Sequence, residues 1–214
     1  MMDKALKQQA KRVTKRLERD YSHAVCALNY ETPVQLLIAT ILSAQCTDER
    51  VNIVTANLFK RYPTAETLAK APIRSLEKLV QSAGFFRNKA KNIKACCQEL
   101  VKEHGGEVPK NLDDLVKLAG VGRKTANVVL GTAFGIPSGV VVDTHVGRIS
   151  RRLGLTQKTD PVQVERELMD VLPTKEWIAY SHRMIYHGRA ICKARKALCS
   201  ECNFIKFCPQ VGVE

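Results

Sequence analysis

From its first residues to about position 190, apolar side chains in this chain return every three or four residues, and a helix-starting signal precedes almost every such run. Thr32-Pro33-Val34-Gln35 reads as a capping box with proline at the first helical position, opening an apolar helix over 34–45. Thr47 or Asp48 starts a second helix, running to about Tyr62. Pro72 starts a third, closed by Gly84, and a fourth over 87–104 ends at Gly105-Gly106. Helices over 112–118 and 124–134 flank a glycine turn. Asp143 caps 144–153, Asp160-Pro161 opens 162–172, and Thr174 caps 175–190. The one strand-like run, Gly139 to Val142, is too short for a sheet and has no partner. The fold class is therefore all-α. The segment 135–139 is the best candidate for a crossover between two helical subdomains.

At 214 residues with 45% apolar content, the chain has material for one generous domain or two small ones. No apolar run approaches membrane-spanning length, and the start is a basic amphipathic stretch rather than a secretory signal. A soluble intracellular protein with no membrane partner is expected. The formal net charge is +13. Basic residues crowd Lys4 to Arg19, then Arg87, Lys89, Lys91 and Lys94, then Arg148 to Arg152, and finally Arg189 to Lys196. Such a balance points to a polyanion, nucleic acid before membrane.

Cys192, Cys199, Cys202 and Cys208 follow the spacing C-x6-C-x2-C-x5-C. Four thiolates so close in sequence can converge on one metal centre, and a reducing compartment argues against disulfides. A tetrahedral zinc site and an iron–sulfur cluster both remain open. Only Cys199 and Cys202 form a zinc-type knuckle, and the wide, uneven outer gaps suit the larger cubane. Cys26, Cys46, Cys96 and Cys97 read as core or incidental thiols.

Leu118 to Lys124 joins two helices through Gly120 and Gly122, which permit positive φ and a close backbone approach. N–H groups at the start of the following helix would offer an anion site suited to a phosphate. Lys124 falls in the first turn, where the positive helix end and Arg123 disfavour a cation and partial burial would do so further. An amine in that position is a candidate Schiff-base nucleophile; a charged, phosphate-binding lysine is the alternative. Asp143, expected to cap its helix, is suited to remain an anion and stabilise a developing sugar cation rather than to abstract a proton.

The lysine-bearing glycine hairpin, the Val-Asp-Thr-His run at 142–145 and the four-cysteine loop together resemble the endonuclease III family of DNA glycosylases, iron–sulfur type, within the helix–hairpin–helix superfamily. The likeness extends from Leu36 to Cys208. It implies a bifunctional enzyme that removes oxidised pyrimidines from damaged double-stranded DNA and nicks the abasic strand by β-elimination. By the same resemblance Lys124 is the nucleophile and Asp143 the essential carboxylate. Gln45 fills the gap left by the flipped base, and Phe85 wedges between neighbouring bases. Gly120, Val121 and Gly122, with the adjoining Arg123, clamp phosphate. The four cysteines hold a 4Fe-4S cluster that organises a DNA-binding loop carrying Lys193, Arg195 and Lys196. By residue type alone, Phe85 would be core and Gln45 a helix-end amide.

The resemblance also implies two helical lobes, a central one over 24–137 and a second combining 1–23 with 138–214, the cluster loop spanning 192–208. Lys124 and Asp143 would then face each other across a DNA cleft. A monomer is expected, placed in the cytoplasm and associated with the nucleoid of a bacterium or archaeon. Ala119 stands where a proline is common in the hairpin, and the stretch between Lys124 and Asp143 looks about one residue long, an excess expected to be absorbed in 135–139. Two rivals differ by specific features. An adenine-type monofunctional glycosylase lacks the lysine and carries a further C-terminal domain, and a non-catalytic DNA-binding protein with a four-cysteine metal loop would not need Lys124 paired with Asp143.

Overall fold

The computed structural model describes residues 4–213. Among them every regular element is helical, and none is long and apolar enough to cross a membrane. The chain divides into two compact units, one of Ala27–Ser138 and one of Met1–Cys26 together with Gly139–Glu214.

The continuous unit holds α2 (Pro33–Leu42), α3 (Asp48–Arg61), α4 (Ala65–Lys70), α5 (Ile73–Val80), α6 (Phe86–His104), α7 (Leu112–Leu115) and α8 (Arg123–Phe134). Its axis is α2, in which every residue from Val34 to Leu42 is buried. An all-round apolar helix of this kind belongs in the middle of a bundle, and α3, α6 and α8 pack around it. Thr32 caps α2 by accepting from the Gln35 N–H at 3.2 Å. The return bond goes not to Thr32 but one residue earlier, where the Glu31 N–H donates to Gln35 Oε1 at 2.9 Å. The helix stops at Leu42 rather than reaching Gln45, because the chain turns left-handed there, with φ +53° at Gln45.

Three elements differ from the sequence-based expectation. The short α4 has no expected counterpart, since its box pairs Thr64 with Thr67 instead of a glutamate or glutamine. The helix expected over 112–118 is one turn long, ending at Leu115. The segment Thr174–Glu176 is a 3-10 turn with no side-chain cap, so Thr174 does not cap α11 (Trp177–Ala190). The apolar run at 139–142 is an extended connection, with Val140 and Val142 buried.

The second unit packs α1 (Lys4–Asp20), α9 (Thr144–Arg152), α10 (Pro161–Val171) and α11 around Val13, Leu17, Ile149, Leu168, Met184 and Phe204. The fully buried Tyr180 satisfies its hydroxyl on Ser150 Oγ at 2.9 Å. The cysteine-bearing tail follows α11 and packs Phe204, Phe207, Cys192, Cys202 and Cys208 on this core.

Candidate functional site

In the continuous unit, the turn between α7 and α8 is built mostly from backbone. The Val121 N–H donates to the Leu118 carbonyl at 3.1 Å. Gly120 has φ +76°, and a Cβ there would lie 2.9 Å from Asn92 Cβ, so both conformation and space demand glycine. Gly122 differs from expectation: its φ of −89° suits any residue, and a Cβ would meet nothing within 4 Å. Its missing side chain leaves the N-terminus of α8 open instead, with no side-chain cap. A helix start in that state offers N–H groups to an anion. Val121 is buried and anchors the hairpin, so only its backbone is available to a ligand. Where a proline would have no N–H, Ala119 donates one to Glu99 Oε2 at 2.8 Å, pinning the turn to α6. Arg123 and Lys124 are both exposed. Partial burial, which would disfavour the Lys124 cation further, is therefore not present. The Lys124 side chain makes no hydrogen bond or ion pair among the described residues, which leaves an exposed, unengaged amine in the first turn of α8.

Gln45 and Phe85 share an unusual backbone. Both are non-glycine residues in the left-handed region, with φ +53° and +47°. Such residues are held there by their surroundings and gather at functional sites. Both are exposed, Phe85 at 67%, so Phe85 is not a core side chain. The cationic group beside them is smaller than its sequence suggests. Arg87 and Lys91 are exposed, but the ammonium groups of Lys89 and Lys94 bond main-chain carbonyls within the unit.

In the second unit Asp143 caps α9, with Oδ1 accepting from the Val146 N–H at 2.7 Å. The residue is half-buried, and its other oxygen accepts no hydrogen bond among the described residues. Two residues on, His145 Nδ1 lies 3.2 Å from Arg148 Nη2, a pure donor, so Nδ1 accepts and the ring proton sits on Nε2. Burial lowers the His145 pKa, Asp143 opposes that, and Arg148 and Arg189 reinforce it. Gly188 makes this packing possible: a Cβ there would sit 2.4 Å from His145 Nδ1.

All four C-terminal cysteines line one cavity, with Ile149, Arg152, Leu153, His187, Leu198 and Phe204 among the other walls. No three metal-binding side chains among the described residues gather tightly enough to hold a single ion. Donors point at the sulfurs: Arg152 Nη1 approaches Cys192 Sγ at 3.4 Å, and the Phe204 N–H approaches Cys202 Sγ at 3.4 Å. Burial raises the Cys202 and Cys208 thiols above their ordinary value, with the neighbouring cysteines adding to the effect. Ligation would have to expel those protons. The loop after Cys192 is tied down by α9. Arg152, only 7% exposed, donates to the carbonyls of Lys193 at 2.7 Å and Ala194 at 3.1 Å, and Arg148 donates to that of Cys192 at 2.9 Å. The Arg148–Arg152 group is therefore largely internal rather than a ligand-facing patch. Its guanidiniums present the outer cations of the loop, and Lys193, Arg195 and Lys196 are all exposed.

Comparison with known proteins adds the decisive observation. Residues 38–174 match the model of the HhH-GPD superfamily base excision DNA repair proteins. The chain is 57% identical to endonuclease III of Synechocystis sp. over 95% of its own length and 93% of that protein's. It is 46% identical to endonuclease III of Bacillus subtilis over 88% and 86% of the two chains. It belongs to the endonuclease III family. The fold agrees throughout: a non-covalent endonuclease III–DNA complex superposes with TM-score 0.90 at 44% identity, covering 98% of this chain and 97% of that one. A trapped endonuclease III–DNA covalent intermediate, an estranged-adenine complex, superposes with TM-score 0.90 at 43% identity over the same shares. Within an endonuclease III frame, the all-helical architecture, the glycine hairpin and the terminal four-cysteine loop form one set.

Proposed function

We propose that this chain is a bifunctional DNA glycosylase and abasic-site lyase that excises oxidised pyrimidines from duplex DNA in base excision repair. The observation that carries the reading is Lys124, an exposed, unengaged amine on the first turn of a helix whose N-terminus is left open by Gly122. The open helix start binds a backbone phosphate at its first turn, with Gly120 shaping the approach. The Lys124 amine attacks C1′ of the flipped nucleotide and the glycosidic bond breaks, the base leaving with the bond's electron pair and then taking a proton. Loss of a proton from the new amine opens the sugar ring to a Schiff base, and β-elimination at C2′ then breaks the C3′–O bond. Asp143 has one oxygen engaged by its own helix and one left over. That fixed anion stabilises the positive charge growing on the sugar as the base departs.

A stacked base shields its sugar, so attack requires extrusion. Phe85 and Gln45, exposed on strained turns, suit the insertion this needs: an apolar ring between base steps and an amide able to bond the orphaned partner base. Cys192, Cys199, Cys202 and Cys208 would hold a 4Fe-4S cluster, the donor set and shared cavity fitting its iron corners. When bound, the cluster supplies a rigid anchor for the loop bearing Lys193, Arg195 and Lys196. The protein works as a monomer on chromosomal DNA, in association with the nucleoid.

The test is borohydride trapping on duplexes carrying one defined lesion. Wild-type protein is expected to form a covalent adduct and nick the strand, and Lys124→Gln to bind the duplex yet do neither. Undiminished trapping by the variant would remove Lys124 from its role.

A further inference from the structure

Lys89 is among the least exposed charged residues of the molecule, at 5%. Its hydrogen-bond partners are two main-chain carbonyls, those of Leu42 at 2.9 Å and Ala83 at 2.7 Å. Those carbonyls are not arbitrary. Leu42 is the last residue of α2, three positions before Gln45. Ala83 closes the 3-10 turn Gln81–Ala83, two positions before Phe85. Carbonyls at helix ends lack intrahelical donors and carry the negative end of the backbone dipole, so a cation is favoured between them. The backbone of Lys89 joins in as well, its N–H donating to the Phe85 carbonyl at 3.1 Å, the first rung of α6. Lys89 thus grips the chain on both sides of Phe85 and at the root of the turn that ends in Gln45.

An ammonium without a carboxylate partner is an expensive way to fill a core. Burial pushes its pKa down, and Cys46 opposes that. An apolar residue of similar volume would spare that desolvation but leave both carbonyls without a donor, so what the ammonium contributes is its N–H groups rather than its volume. The observation calls for something that only a donor with several N–H groups supplies. That something is a fixed link between two segments 40 residues apart in sequence, each ending in an exposed left-handed residue.

We infer that Lys89 is a positioning residue, which sets the spacing of Gln45 and Phe85 so that amide and ring enter the duplex together. The inference rests on the insertion roles given to those two side chains under Proposed function. Lys89 itself touches no DNA. Losing the link lets the two turns drift independently, and a displacement of about 1 Å near a reacting geometry can lower a rate by about 100-fold.

The experiment is a mutant cycle in single-turnover excision, with enzyme concentration set by borohydride titration of active sites so that unfolded protein is not counted. Lys89→Met keeps the volume and removes the donors. It is expected to slow excision by roughly 10- to 100-fold and to abolish the fluorescence rise of a 2-aminopurine next to the lesion, with affinity for undamaged duplex unchanged. In a Gln45→Ala/Phe85→Ala background the same substitution is expected to have no further effect, because two residues acting through one step are non-additive. Lys89→Arg, which retains a cation with several donors, is expected to recover most of the rate, and Lys89→Gln, whose shorter amide cannot span both carbonyls, carries the cycle if the methionine variant does not fold. A full, additive loss from Lys89→Met in the double-alanine background overturns the inference, as does loss of affinity for undamaged duplex. If the double-alanine protein excises and unstacks normally, the insertion roles fail instead, and that result is distinct from either.

Discussion

Replacing Arg152 by methionine isolates the support of the cysteine loop from everything else in the chain. Methionine fills the aliphatic volume, so the change removes donors without opening a cavity. Two carbonyl bonds disappear, at 2.7 Å to Lys193 and 3.1 Å to Ala194, together with the 3.4 Å approach to Cys192 Sγ. Bonds from a charged donor contribute about 1.5–3 kcal/mol each, so the two carbonyls set an upper figure of about 3–6 kcal/mol. Lys193 and Ala194 are exposed, so water recovers part of that, leaving about 2 kcal/mol in the opening of the loop. That shift raises the open fraction about 30-fold. The reporters are the Leu198 and Lys193 amides, both bonded to the Ile191 carbonyl, at 3.1 and 2.9 Å. Native-state hydrogen exchange at these two is expected to speed up about 30-fold, while protection in α6 stays as it was, and duplex affinity is expected to fall with the lost order. Unchanged protection alongside a large loss of affinity would refute the reasoning, since Arg152 would then be touching DNA rather than holding the loop.

Asp143→Asn keeps a competent helix cap, so melting is expected to shift little while single-turnover excision falls by about 100-fold or more, as measured by base release from a lesion duplex. Gly120→Ala and Gly122→Ala should separate folding from binding. The first forces a left-handed alanine against Asn92 and is expected to cost about 1–2 kcal/mol or more in denaturant unfolding. The second is expected to leave stability intact and weaken duplex binding, because its Cβ fills space open to a phosphate. Affinity for duplex is expected to drop about 1,000-fold between 50 and 200 mM salt if some six phosphates are neutralised, read as the slope of log K against log salt.

The elements most legible in the sequence were those set by neighbours in the chain. Thr32, Thr47, Asp143 and Asp160 all cap the helices they precede, because a side-chain oxygen three residues from its N–H depends on nothing distant. The four cysteines were legible as a set because their use needs them together. The direction of a charge was not legible from composition. Lys89 and Arg152 were counted with exposed cations, yet both lie on buried stripes. Lys89 keeps step with Ile93, Cys96, Cys97 and Leu100 on α6, and Arg152 with Val146 and Ile149 on α9. Helical register held that information, and a reading by charge alone passes over it. The end of α2 was misplaced for a related reason: no glycine marks the left-handed turn at Gln45, so no local signal announced it.

That turn has an evolutionary corollary. A glycine at 45 or 85 would relax the main chain, and selection for heat tolerance alone would drift towards it. The drift would yield a sturdier molecule without the exposed amide and ring at these two turns. If the insertion roles proposed for Gln45 and Phe85 hold, that strain is retained for the work done on DNA, and thermal hardiness makes a poor proxy for fitness in any laboratory evolution of this scaffold.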